Sequence, residues 1–280
     1  MVFMAIATAF IGCTRSRVQS MAHNESDTLL VVEDSTEEDT LLYIEEEEDE
    51  GLTLENHTTE VFGDFIFAFI HNARFRSERI RFPLPVTTVG GDERSIDNYS
   101  QFREEFVLPG NDYYTLMLGK RGQMDVFQDD STLVWVDLQV ITLRTLQMTS
   151  YTFGRNDGRW FLTSRHEGPV PAELEDFYQF YNQFSSDTIF QQESLAPQLS
   201  YTMEDPDEEG NDIEGTIDSG QWPAFRPEMP HDEFVNISFG QAFPNPNRLL
   251  MVQCGISEGM LDVFTFHKDG HKWQLTSYEN

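Results

Sequence analysis

The sequence predicts an α+β protein made of two tandem repeats, each with one or two N-terminal helices packed on a curved antiparallel sheet. Three observations carry the prediction. The stretch Asp64-Phe65-Ile66-Phe67-Ala68-Phe69 returns 112 residues later as Asp176-Phe177-Tyr178-Gln179-Phe180-Tyr181. Tyr151-Thr152-Phe153 with Asp157-Gly158-Arg159-Trp160-Phe161-Leu162-Thr163-Ser164 returns as Phe264-Thr265-Phe266 with Asp269-Gly270-His271-Lys272-Trp273-Gln274-Leu275-Thr276-Ser277, which sets Trp160 and Trp273 113 residues apart. Between these ends, Phe75–Ile80 answers to Phe190–Leu195, and Asp112-Tyr113-Tyr114 to Asp232-Glu233-Phe234, in unchanged order. Residues 61–171 and 172–280 therefore read as two units of ordinary domain length.

Each unit opens with a helix. Phe62, Phe65, Ile66, Phe69 and Ile70 recur at three- and four-residue steps, as do Leu174, Phe177, Tyr178, Tyr181 and Phe184 in the second copy. In the first unit Asp97 is placed to cap a further helix with Tyr99, Phe102 and Phe106 on its apolar side, ending at Leu108-Pro109-Gly110. Strands follow. Leu133–Thr142, Leu146–Phe153 and Leu249–Gly255 are rich in β-branched and large apolar residues, and Asn156-Asp157-Gly158 and Lys268-Asp269-Gly270 are hairpin turns. Just past each turn an indole, Trp160 or Trp273, can cover the sheet while its N–H finds a backbone acceptor.

Charge divides the chain further. The total is -31, from 49 acids and 18 bases, and a chain this acidic is repelled by nucleic acid. Residues 1–60 carry -13, residues 61–171 only -2, and residues 172–280 carry -16. No Lys or Arg stands between Arg17 and Arg74, and Glu45–Glu50 is an unbroken acidic run, so residues 13–60 are expected to be a disordered, self-repelling tether. Ahead of it, MVFMAIATAFIGC suits the apolar region of a secretory signal over residues 1–12, and Phe10-Ile11-Gly12-Cys13 resembles the bacterial lipobox, which implies lipid on Cys13. The expected address is the bacterial cell envelope, periplasmic or surface-facing. The second cysteine, Cys254, is expected buried in its strand.

The segment Phe75 to Leu84, Phe-x-x-x-Arg-Ile-x-Phe-Pro-Leu, together with the closing Asp-Gly-x-Trp-x-Leu, resembles an uncharacterised lipoprotein family of Bacteroides-type bacteria. The resemblance implies the fold of nuclear transport factor two, a cone of helices wrapped by a bent sheet, also called cystatin-like. It brings no catalytic residues with it.

Few residue constellations suggest chemistry. Some cone-fold enzymes use an Asp or a His-Asp pair in an apolar cavity. Asp125 and Asp137 lie in or near strands, but Asp137 reads as a solvent-facing or edge residue without a supporting His. His267 and His271 flank a turn, where Lys268 and Lys272 would oppose a cation. Asp205–Gly210 imitates the start of a calcium loop, yet Thr216 occupies the position that needs a bidentate Glu. No metal and no cofactor is therefore expected. Arg74, Arg76, Arg79 and Arg81 form the main basic cluster, open to an anionic ligand or, by preference, to the acids of the second unit across an interdomain contact. The functional expectation is a non-enzymatic, lipid-anchored binding or assembly module for a carbohydrate, a peptide or an envelope partner. The alternative is a cavity enzyme, a hydrolase or isomerase, in one repeat.

Overall fold

The computed structural model describes residues 60–110, 113–205, 211–255 and 260–280. The signal, Cys13 and nearly all of the acidic tether lie outside the described residues, as does most of the Asp205–Gly210 segment.

The chain begins with α1 (Phe62–His71) and α2 (Ala73–Glu78), then β1 (Leu84–Thr88), β2 (Glu93–Ile96), α3 (Tyr99–Glu105), β3 (Tyr113–Leu118) and α4 (Gln123–Gln128). A meander of β4 (Trp135–Thr142), β5 (Gln147–Asn156) and β6 (Arg159–Pro169) completes its first half. The second half repeats much of that order: α5 (Ala172–Ser186), α6 (Thr188–Glu193), β7 (Leu195–Glu204), β8 (Asp212–Ile217), the short α7 (Trp222–Phe225), β9 (Glu233–Ser238), β10 (Arg248–Gly255), β11 (Leu261–Asp269) and β12 (Lys272–Glu279). It is a mixed α+β architecture, mostly sheet.

Local chemistry explains the element ends. Asn72 accepts the Phe75 N–H at the start of α2, and Asp187 accepts the Ile189 and Phe190 N–H groups at the start of α6. For α3 the capping residue is Asn98, one position after Asp97, because the Asn98 side chain accepts from Gln101 N while Gln101 reaches back to the Asp97 N–H. Asp157 and Gly158 both take positive φ in the two-residue turn between β5 and β6, the geometry that matches strand twist.

Where two antiparallel sheets were expected, there is one mixed sheet of twelve strands, ordered β2-β1-β6-β5-β4-β9-β3-β10-β11-β12-β7-β8. β1 runs parallel to β6, β7 to β12, and β3 to β9. Read inward from either edge, the order is the same: β2-β1-β6-β5-β4 on one side and β8-β7-β12-β11-β10 on the other. At the centre the third strands have crossed over, β9 pairing with β4 and β3 with β10. The reason is visible in the side chains. β3, β4, β9 and β10 are buried on both faces, so an edge left at any of them would be a sticky one.

Each face of this shared sheet carries a core. Phe62, Phe65 and Phe69 of α1 pack with Phe102, Phe153 and Trp160 on one face, against Leu116, Leu138, Ile237, Leu250 and Val252 from the central strands. Phe177, Tyr178, Tyr181 and Phe184 of α5 pack on the opposite face with Phe264, Phe266, Trp222 and Leu275, against Met117, Ile141, Phe234, Leu249 and Met251. Alternate residues of β10 thus serve both cores, Leu250 and Val252 one and Leu249 and Met251 the other. Full burial of one such Phe is worth roughly 1.5–3 kcal/mol, so the aromatic sets dominate both faces. At the crossing, Gly119 lies so close to the 242–244 segment that a Cβ would fall 2.6 Å from the Ala242 carbonyl, which only glycine permits.

Candidate functional site

Six of the ten buried polar residues among the described residues fall along one line. Cross-strand partners in register point to the same face of a sheet. Glu93 pairs with Thr87, Thr87 with His166, His166 with Ser150, Ser150 with Gln139, Gln139 with Asn236, Asn236 with Thr115, Thr115 with Gln253, and Gln253 with Asp262. The row starts in solvent at Glu93 and His166 and is buried from Ser150 to Asp262. It lies on the face that α5 covers in the second half, since Gln253 alternates with Met251 and Leu249.

Much of the row is bonded within itself. The Thr87 hydroxyl meets His166 Nδ1 at 2.9 Å. Asn236 Nδ2 donates to Gln139 Oε1 at 2.8 Å, and the Thr115 hydroxyl donates to Asn236 Oδ1 at 3.1 Å. These last two bonds cross between the halves at the β4-β9-β3 junction, where the β3–β9 register comprises only two pairs. At the far end Tyr278 Oη donates to Asp262 Oδ1 at 2.6 Å. Burial raises the Asp262 carboxyl above its ordinary range, and the tyrosine hydroxyl draws it back. Tyr278 is raised too, by burial and then by the Asp262 acceptor it holds.

Two polar atoms near that end have no partner among the described residues. Gln253 gives its Nε2 to the Glu228 carbonyl at 3.1 Å, which leaves Oε1 buried and unbonded. Tyr181, on α5 above the sheet, has its hydroxyl buried and unbonded. Tyr113 links them: after burial, its phenol disfavours the ionisation of Tyr181, and Glu228 acts on Tyr113 in turn. Burial first, and then Glu228, push the Tyr113 hydroxyl up to about 12. The cluster therefore runs from exposed Glu228, through half-buried Tyr113, to buried Tyr181 and Gln253. The segment before β9 closes beside it: Gln191 accepts from Trp222 Nε1 at 3.0 Å and Arg226 at 2.9 Å, and its own amide reaches Met229 Sδ.

The arginines singled out in the sequence have partners close to them in the chain. Arg76 donates to the carbonyls of Phe69 and Ile70 at 3.0 and 2.7 Å and to Tyr99 Oη. Arg79, 12% exposed, forms a two-pronged bond with Glu60, 10% exposed, and lies over the Phe75 ring. Arg81 stacks on Phe161 at 3.8 Å, and Arg74 makes an exposed pair with Glu78. All of these partners lie within residues 60–161. The reason is proximity: the cluster follows α1 and is taken up by the helix ends and the first hairpin. Glu60 also accepts the Trp160 N–H and, through its carbonyl, the indole N–H, which makes it part of the fold rather than the tether's last residue.

Asp137 was read as an edge or solvent residue, and it is neither. It sits in β4 between Thr152 of β5 and Ser238 of β9, half-buried, with Oδ1 unbonded among the described residues. Burial raises its carboxyl, opposed by the Thr152 hydroxyl and by the charge of His166, the nearby histidine that the sequence did not reveal. Asp125 lies exposed on α4 rather than in a strand. His267 and His271 are exposed around the β11–β12 turn, and Lys268 beside them pairs with Asp176 at 2.7 Å. Trp160 has the backbone acceptor foreseen for it, whereas Trp273 donates to the Asp176 carboxylate at 2.7 Å. Cys254 is buried in β10.

In fold the chain is similar to NTF2-like proteins. It belongs to the family described as a domain of unknown function, DUF4348, which matches residues 44–280. An NTF2-like protein from Bacteroides fragilis, solved by crystallography, is 30% identical, covers 80% of this chain and 96% of its own, and superposes with a TM-score of 0.71. That coverage exceeds what either half could supply alone. No curated protein matches the chain.

Proposed function

We propose that this protein is a non-enzymatic binding module of the bacterial cell envelope, anchored through lipid on Cys13, that holds its ligand at the buried end of the polar row. The observation that carries this is the pair of unbonded atoms, Tyr181 Oη and Gln253 Oε1, in one cluster that opens toward solvent at Glu228. A buried polar group without a partner costs about 1–3 kcal/mol, and a ligand that bonds both atoms recovers that loss. The lipobox-like Phe10-Ile11-Gly12-Cys13 and the acidic residues behind it support the anchor and the tether. We also read the chain as two repeats, 61–171 and 172–280, whose third strands have been exchanged. The mirrored strand order and the aligned blocks Asp112-Tyr113-Tyr114 and Asp232-Glu233-Phe234, which enter β3 and β9, support it.

Thermal unfolding of the purified chain against a panel of sugars and short peptides tests the binding reading. A ligand that raises the midpoint in the parent but not in Tyr181→Phe supports it, and no shift across the panel counts against it. Mass spectrometry of membrane-extracted protein tests the anchor: an unmodified Cys13 with residues 1–12 retained refutes it.

A second reading, a cavity enzyme of the hydrolase or isomerase type, draws on Asp262, a buried carboxyl with a raised pKa. Against it, Tyr278 already holds that carboxyl, and no histidine, lysine or arginine acts on it. If Asp262→Asn abolished a turnover while leaving ligand affinity intact, the enzymatic reading would replace the first.

A further inference from the structure

The groups at the buried end of the row also restrict what can bind there. Building on the binding reading above, we propose that the Tyr113–Tyr181–Gln253 cluster takes a primary ammonium group, accepted by Gln253 Oε1 and Tyr181 Oη and balanced by the carboxylates of Glu228 and Asp262.

Hydrogen-bond inventory comes first. With Gln253 Nε2 committed to the Glu228 carbonyl, only the acceptor end of that amide is left. A tyrosine hydroxyl accepts as readily as it donates, and an ammonium has three donors and no acceptor, so one ammonium can satisfy both atoms. Charge then separates the candidates. The ionisable groups acting on Tyr113, Tyr181, Asp262 and Tyr278 are carboxylates and phenols, with no Lys, Arg or His among them. Residues 172–280 carry 20 acids against 4 bases. A carboxylate or phosphate would meet this field and a bare amide oxygen, both repulsive. A neutral hydroxyl could make the same bonds but would draw nothing from the field, which in a partly desolvated site is stronger than in water. The exposed Glu228 and half-buried Tyr113 give a cation its way in. An amino sugar and the amine of a peptide both offer this group.

The test uses the full chain and three probes of one shape at pH 7: cyclohexylamine, cyclohexanol and cyclohexanecarboxylate. Titration calorimetry and thermal unfolding are the readouts. Cyclohexylamine is expected to bind roughly tenfold or more tighter than cyclohexanol, as one charge-assisted hydrogen bond allows, with no response to the carboxylate. Tyr181→Phe should abolish the amine response, with Gln253→Met as a second variant of similar length. Glu228→Gln, at an exposed position, should weaken the amine about threefold and leave cyclohexanol unchanged. Glucosamine and glycinamide then separate the two sources, and a response to either supports the assignment. Cyclohexanol binding as tightly as the amine overturns the ammonium assignment and leaves the binding reading standing. No response to any probe also overturns it, and if Tyr181→Phe is less stable than the parent, its hydroxyl is satisfied internally and the binding reading falls as well.

Discussion

Over the first half of the molecule Arg79 and Arg155 are half-buried and Asp130 buried, and each is bonded within residues 60–160: Arg79 to Glu60, Arg155 to Asp130 at 2.9 Å, and Asp130 to the first N–H of α1 as well. Over the second half Tyr181 and Gln253 are fully buried, yet each keeps an atom with no partner among the described residues. The aromatic cores are alike, Phe62–Trp160 edge to face on one side and Phe177–Trp273 on the other. What differs is how the polar groups are spent. The first half uses its charges to lock helix to hairpin and leaves unbonded only atoms of charged side chains, Asp137 Oδ1 and the Nε of Arg155 and Arg165, whereas the unbonded buried atoms of the second half, on Tyr181, Ser194 and Gln253, belong to neutral ones among the described residues. A group that serves the fold should be costly to remove, and a group kept for something else should not be.

The largest effect is expected at Asp130. Asp130→Ala takes the carboxylate from Arg155, which keeps only the Glu60 and Ser131 carbonyls among the described residues, and from the α1 N-terminus, so urea unfolding should show a loss of about 3–5 kcal/mol. A loss under about 1 kcal/mol would show that this half is not held by its charges. Next comes the junction. Asn236→Leu leaves Thr115 and Gln139 without their partner, with an expected cost of about 2 kcal/mol. In the parent, fluorescence and circular dichroism should report a single coincident transition, because β9 and β3 tie the halves into one sheet. Two separate transitions would break the comparison at its root.

Tyr278→Phe removes a bonded hydroxyl from the second half and should cost about 1.5–3 kcal/mol, the range for a bond to a charged acceptor. A smaller effect is expected from Asp262. Its folded-state pKa lies above the unfolded value, so the folded protein holds its proton longer, and this contribution favours folding at low pH and is lost as pH rises from about 4 through the folded pKa. The stability of Asp262→Asn relative to the parent should therefore improve over that window. Asp176, lowered first by its bond from Lys268 and then by Trp273, has the opposite sign: its contribution is present above the unfolded pKa and fades below it.

How much of this could be read from the chain varies by element. The apolar spacing of α1 and α5 and the Asp157-Gly158 turn are local properties, and they stand in the structure where the spacing places them. The crossing of β3 and β9 is not local. Nothing in Tyr113–Leu118 or Glu233–Ser238 says which strand lies alongside, since strands buried on both faces accept several neighbours. The polar row was hidden for the same reason: Gln139, Asn236, Thr115 and Gln253 are scattered polar residues until the register aligns them. Asp137 and His166 lie 29 residues apart and meet only through β5. Tyr181 was marked by its periodicity as a core residue, which it is. Its unbonded hydroxyl depends on the surroundings.

The most direct measurement is the unfolding free energy of Tyr181→Phe beside that of Tyr278→Phe in the ligand-free protein. Two buried tyrosines of the same half lose the same oxygen, one bonded and one not. The account predicts that Tyr278→Phe loses about 1.5–3 kcal/mol while Tyr181→Phe is unchanged or gains up to about 1 kcal/mol. Equal losses at the two positions would contradict it, since the Tyr181 hydroxyl would then belong to the fold and not to a ligand.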